Sequence, residues 1–243
     1  MIKKFLAGLG IGQASKAGGE EALAHALSHA PYKESYANFL YNLVFCDDPG
    51  LFRNDNTAKG NGFWAVLLAD EPDYAGLEKI ASNPEEESRA RVLAYNRMRA
   101  GGCVVPAKLL LGVIFEVALE QGLDTLAAYP DGQVRYLNQS GKVAIFDGGS
   151  AYVEALAKEL VAVSQPIVNA IGPWDRKRLP PPPTDYVRMT FLVSDGLYFG
   201  EAPFATLQRD AMGGPVLAKA TELLQACVAA AVKSEQGPHE HGV

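Results

Sequence analysis

Between Gly112 and Leu119 the side chains alternate, with Val113, Phe115, Val117 and Leu119 set against Ile114, Glu116 and Ala118. A period of two fits a strand with one face on a core and does not fit a helix, whose apolar residues recur at three and four. Three more short runs follow, Asp124 to Tyr129, Val134 to Leu137 and Val143 to Phe146. They are separated by Pro130-Asp131-Gly132 and Gln139-Ser140-Gly141, residue types that reverse the chain within a few positions. This spacing predicts four antiparallel strands in a meander.

Asp147-Gly148-Gly149-Ser150 then supplies a helix start. Ala151 to Ile171 carries Val153, Leu156, Leu160, Val163 and Ile167 on one stripe, which predicts an amphipathic helix, and Pro166 is expected to kink it because it removes a backbone donor. After a linker from Trp174 to Thr184, Val187 to Val193 and Leu197 to Phe199 read as a hairpin across Ser194-Asp195-Gly196. Gly213-Gly214-Pro215 opens a last helix with Val216, Ala220, Leu223, Cys227 and Ala231 on one side. Residues 103–233 therefore read as an antiparallel α/β domain of the α+β type, and 234–243 as a disordered tail. In outline this order of strands, long helix, hairpin and closing helix resembles the profilin-like and roadblock-like scaffolds. The resemblance spans about half the chain, rests on element order, and implies partner binding or self-pairing with no catalytic residue.

Residues 1–102 read as a helix-rich N-terminal region with one short strand. Gly19 to Ala30 has helical periodicity ended by Pro31, and Tyr32 to Phe45 is expected to be a second helix stopped by Asp47-Asp48-Pro49-Gly50. Arg53 to Gly62 is a loop by composition, Phe63 to Ala69 is apolar enough for a buried strand, and Glu71 to Ile80 turns into a short helix. Glu85 to Ala100 predicts a longer helix in which Glu85 and Glu87 stand four residues before Arg89 and Arg91, the spacing of intrahelical ion pairs. Gly101-Gly102 closes it and marks the boundary at Cys103.

The 22 basic against 28 acidic side chains, a net charge of -6, disfavour nucleic-acid and anionic-membrane partners. At about 100° per residue the arginines of the Glu85–Ala100 helix surround it instead of forming a stripe, which removes the best local basic surface. Lys3, Lys4 and the apolar run Phe5 to Ile11 only weakly imitate a secretory leader. No stretch is expected to reach the eighteen or so apolar residues of a membrane span, the greasiest segment being interrupted by Glu116. Cys46, Cys103 and Cys227 are far apart with no Cys-x-x-Cys pair, as befits reduced thiols and a cytoplasmic location.

The chemical motifs fail on inspection. Gly8, Gly10 and Gly12 lack the third glycine of a dinucleotide fingerprint, and Thr57 to Gly62 lacks the order of a phosphate loop. Asn54-Asp55-Asn56 lacks the closing glutamate of a calcium loop. Glu21, His25 and His29 would share a helical stripe, but it faces away from the apolar arc and has no fourth ligand, so neither metal nor cofactor is expected. Lys177, Pro180 and Pro183 match a proline-rich recognition pattern, which a rigid connector explains equally well.

What remains is a sheet face. Glu116 could be joined across it by Arg135 and Arg188, and by Tyr198 or Asp124, to form a charged pocket. Ile114, Leu137 and Phe146 are the apolar candidates for an interface. The leading expectation is a non-catalytic binding or assembly domain that pairs with a protein partner or with itself as a homodimer. The alternative is a small-ligand-binding protein or enzyme built on Glu116, Arg135, Arg188 and Tyr198.

Overall fold

A computed structural model of the chain describes residues 29–53 and 62–236. The glycine run, the loop motifs of residues 54–61 and all but the last two residues of the Gly19 to Ala30 helix lie outside that range. The described chain has helices α1 (Ser35–Leu43), α2 (Phe63–Leu67), α3 (Tyr74–Ser82) and α4 (Ser88–Ala100), then strands β1 (Leu110–Leu119), β2 (Gly122–Ala128), β3 (Val134–Leu137) and β4 (Val143–Phe146). Helix α5 (Ala151–Ala170), strands β5 (Tyr186–Val193) and β6 (Gly196–Pro203), the short α6 (Phe204–Leu207) and α7 (Gly213–Gln236) follow.

The strands form one six-stranded sheet in the order β4-β3-β2-β1-β5-β6, with every neighbouring pair antiparallel. The meander runs outward from β1 to β4, and α5 returns the chain across one face so that β5 joins the free side of β1. Gly132 (φ 89°) and Gly141 (φ 79°) occupy the reversals between β2, β3 and β4, in a backbone region that a Cβ disfavours. Ser150 accepts a hydrogen bond from the Val153 amide at the start of α5, and α5 continues through the exposed Pro166 as a single helix.

Alternation sends the strand residues to two cores. Leu110, Val113, Phe115, Leu126, Val134, Met189 and Phe191 pack with α5 and α7. Leu111, Ile114, Ala118, Leu123, Ala127, Leu137 and Leu192 pack with Tyr41, Phe45, Leu67, Leu77, Leu93 and other residues of the N-terminal helices. The architecture is an α/β fold of three layers, with helices on both sheet faces.

Several expectations need correction. Phe63 to Ala69 forms a helix in place of a strand: its run of apolar residues has no decisive period, and stacking of Trp64 on Phe52 with burial of Leu67 favours the helical turn. Helix α4 starts at Ser88, with Glu87 as its cap, so the four-residue Glu–Arg spacing does not operate. Arg89 pairs with Glu87 instead. Arg91 donates to the Ala81 carbonyl, Arg97 to those of Leu67 and Ala69, and Arg99 to that of Ser194. The arginines staple α4 to neighbouring elements by capping their orphan carbonyls. Helix α7 runs on through the Ser234–Gln236 stretch expected to fray. Its Gly213–Val232 portion is, by length and composition, apolar enough to cross a membrane, contrary to the expectation that no segment is. Val216, Leu217, Ala220, Leu223 and Cys227 are buried against the sheet and α5, so one side of this helix is packed within the fold.

Candidate functional site

Glu116 lies in the middle of β1, with Thr125 of β2 and Arg188 of β5 as its lateral neighbours, and Arg188 is followed by Glu201 on β6. Register alone therefore places a polar row, Thr125, Glu116, Arg188 and Glu201, across the face that the N-terminal helices cover. Glu116 is 1% exposed. Its Oε1 accepts a 2.6 Å hydrogen bond from the Tyr41 hydroxyl of α1, and its Oε2, 3.7 Å from Arg188 Nη1, has no hydrogen-bond partner within the protein. Arg188 grips Glu201 Oε2 through Nε at 2.8 Å and Nη2 at 2.5 Å, and its Nη1 donates to the Pro180 carbonyl at 2.6 Å.

A second guanidinium enters from the linker. Arg178, its side chain 5% exposed, donates from Nε to Asp47 Oδ2 at 2.9 Å and from Nη2 to Asn42 Oδ1 at 2.5 Å. Its plane lies 3.8 Å from the Phe45 ring centroid and 5.4 Å from that of Tyr41. Its carbonyl is 3.2 Å from His29 Nε2. The linker is thus a strap pinned by Arg178 and held at Pro180 by Arg188.

Burial raises the Glu116 carboxyl above its ordinary pKa, opposed by the Tyr41 hydrogen bond and by the charges of Arg188 and Arg178. Burial also drives the Tyr41 phenol well up, with the Glu116 charge second. Both groups are sealed from solvent, so this cluster joins α1, the sheet and the strap; it does not present a free acid or base.

The other residues expected to converge on Glu116 do not. Arg135 shares its face but sits one row along, beside Ala127 and Ile145, where it pairs with Asp147 at 2.6 Å and bonds Gln133 and the Val134 carbonyl. Tyr198 and Asp124 occupy the opposite face: Tyr198 donates to Asp195 at 3.0 Å, and Tyr136 donates to Asp124 at 3.3 Å. Ile114 and Leu137, expected to cover an interface, are fully buried beneath the chain's own helices, and the half-buried Phe146 packs toward α5 and α7. The alternation reading of the sheet took one face to be free, but residues 32–98 supply its cover. Among the described residues no cluster of His, Cys, Asp or Glu has the arrangement of a metal site.

Beside the buried row lies a cavity of about 260 Å³, lined by Phe45, Asp47, Val92, Asn96, Arg99, Leu192, Val193, Gly196 and Leu197. It is smaller than the pockets that hold drug-sized molecules. Three parts of the chain build it: the segment after α1, α4, and the β5–β6 hairpin. Asn96 donates to the Cys46 carbonyl at 2.6 Å and accepts from Arg99 Nη2 at 2.7 Å, while Arg99 Nη1 donates to the Ser194 carbonyl at 2.7 Å. Burial pulls the Arg99 pKa below its ordinary value, and the more distant Asp195 opposes this. Asp47 Oδ1 is buried without a hydrogen-bond partner. A second cavity, of equal volume, between α2, α3 and Glu86 has Lys79 and Glu86 as its charged walls.

No family model, curated protein or solved structure matches the chain. Sequence reasoning found Glu116 and Arg188 but missed Tyr41, Asp47, Asn96, Arg99 and Arg178. Arg178 had a signal, the unusual Trp174 to Pro183 stretch; the others read as ordinary helix and turn residues.

Proposed function

We propose that this chain is a non-catalytic domain that binds a small ligand in the cavity between α4 and the β5–β6 hairpin. The observation that carries the reading is Arg99. It lines a cavity of mixed polar and apolar walls, is desolvated enough to lower its pKa, and among the described residues forms no salt bridge. An apolar pocket with a few convergent polar groups is the usual form of a small-molecule site. The acids, phenols and thiols nearby are poor catalysts: Glu116 is sealed, and burial pushes the Cys46 thiol up, away from the thiolate.

A thermal-shift screen of small polar metabolite-like compounds, run on the full chain and on Leu197→Trp, tests this. Compounds that raise Tm should lose their effect when the indole fills the cavity mouth. The reading fails if nothing raises Tm, or if every shift survives Leu197→Trp.

A second reading, assembly as a homodimer, is supported by a different surface from the one the sequence suggested. Val228 and Val232 of α7 are 44% and 45% exposed, with the exposed Ala229 between them. Light scattering at micromolar concentration tests it: a dimer mass that reverts on Val228→Lys supports the reading, and a monomer mass removes it.

A further inference from the structure

We infer that the ligand of this cavity is a small monoanion, a carboxylate on an apolar body, with its carboxylate on Arg99; this rests on the ligand-binding reading above.

The inference comes from counting charge on the walls. Asp47 is already neutralised, because Arg178 holds its Oδ2 from outside the cavity. The Asp195 carboxylate acts on Arg99 only from beyond salt-bridge distance and is itself committed to the Lys108 amide and the Tyr198 hydroxyl. Arg99 spends one donor on the Ser194 carbonyl and one on Asn96 Oδ1, leaving three of its five N–H groups. Those two bonds also fix the guanidinium, so a carboxylate meets a fork that is already oriented and loses little freedom in making it. A cation would meet Arg99 repulsion and find Asp47 satisfied in charge. A neutral molecule would leave a half-buried guanidinium without a counter-charge.

The rest of the wall defines the body. Phe45, Val92, Leu192, Val193 and Leu197 give the wall hydrocarbon beside its polar groups, which suits an apolar body better than a highly hydroxylated one. Asp47 Oδ1 is buried and offers the ligand no contact, so the carboxylate on Arg99 is the polar anchor.

Isothermal titration of the full chain with three near-isosteric probes separates the terms: 3-phenylpropanoate, 3-phenylpropanamide and 3-phenylpropylamine. The acid is expected to bind about tenfold more tightly than the amide, as a charge-assisted bond should. The amine is expected not to bind. Arg99→Gln should erase the preference for acid over amide. Should that variant fold poorly, Asn96→Asp does the same by placing a carboxylate against an intact Arg99. Equal or better binding of the amide or amine, absence of binding by all three probes, or an acid preference that persists in both variants overturns the inference. If other compounds from the screen still bind in a manner lost on Leu197→Trp, the cavity reading survives that failure; if none does, both fall.

Discussion

Replacing Arg178 by alanine should cost the chain about 3 kcal/mol, the low end of the range for removing one partner of a buried ion pair. The side chain is 5% exposed, and it engages the Asp47 carboxylate, the Asn42 side-chain oxygen Oδ1 and the Phe45 ring face at once. Single charge-assisted hydrogen bonds are worth about 1.5–3 kcal/mol, and a desolvated guanidinium over an aromatic ring about 2. These do not add in full, because Asp47 is 25% exposed and can recover part of its hydration once Arg178 has gone. For a chain of this size a loss of 3 kcal/mol lowers Tm by about 6–12 °C. Urea titration should show a lower midpoint with an unchanged m value, since the compactness of the folded state stays the same. Arg178→Met keeps the stem against Phe45 and should lose about 1 kcal/mol less than alanine, isolating packing from charge. A cycle with Asp47→Asn should return a coupling of about 1.5 kcal/mol or more. A loss below about 1 kcal/mol with no coupling to Asp47 would mean that the pair behaves as a solvated surface contact, and the pinned-strap reasoning would be wrong.

Three further perturbations follow from the same geometry. Because burial raises the Glu116 carboxyl in the folded chain above its unfolded value of 4.5, its contribution to stability is fully present below that pH and is lost as pH rises through the folded value; urea midpoints measured upward from pH 4.5 should fall more steeply in the native chain than in Glu116→Gln, and equal slopes would refute the assignment. The Cys46 thiol is fully buried and the Cys227 thiol is pushed up to about 12 by burial, whereas Cys103 is half-buried. A thiol reagent at pH 8 should therefore modify one cysteine in the native chain and all three in urea, with peptide mapping placing the first label on Cys103. Tyr198→Phe removes a single hydrogen bond to Asp195 and should cost about 1 kcal/mol; an unchanged urea midpoint would show that the bond carries no stability.

The sheet was legible because its signals are local. Alternation in β1 and the turn residues before Gly132 and Gly141 fix strand after strand without reference to the rest of the chain, and antiparallel meanders need only short reversals. The layer above the sheet was not legible. Whether Ile114 and Leu137 face solvent, a partner or the chain's own helices is the same alternating pattern in each case, and only the packing of Tyr41, Phe45 and Leu93 decides it. The site suffered in the same way. Arg188 could be guessed as a neighbour of Glu116 because both lie on strands of one sheet, but Tyr41 reaches Glu116 from 75 residues away and Arg178 reaches Asp47 from 131, separations at which residue spacing carries no information. Arg135 failed for the complementary reason: it is on the right face, but one row along and on the far side of β2.

A carboxylate sealed at the centre of a sheet face is an unfavourable choice if stability alone is counted, since the attraction of Arg188 and Arg178 must first offset the desolvation of all three groups. What the row supplies here is position. An all-apolar face would let the N-terminal helices settle in several offsets of similar energy, because close packing of hydrocarbon is tolerant of which side chains meet. The Tyr41 hydroxyl satisfies Glu116 Oε1 at one offset of α1, and Arg188 satisfies the Pro180 carbonyl at one path of the strap. Those two placements bring Phe45 and Asp47 to one wall of the cavity, and Arg178 then sets the charge of that wall by neutralising Asp47. The buried network therefore belongs to the proposed function as its frame: it stands outside the ligand's reach, yet it determines both the shape of the cavity and the sign of the charge the cavity leaves unpaired.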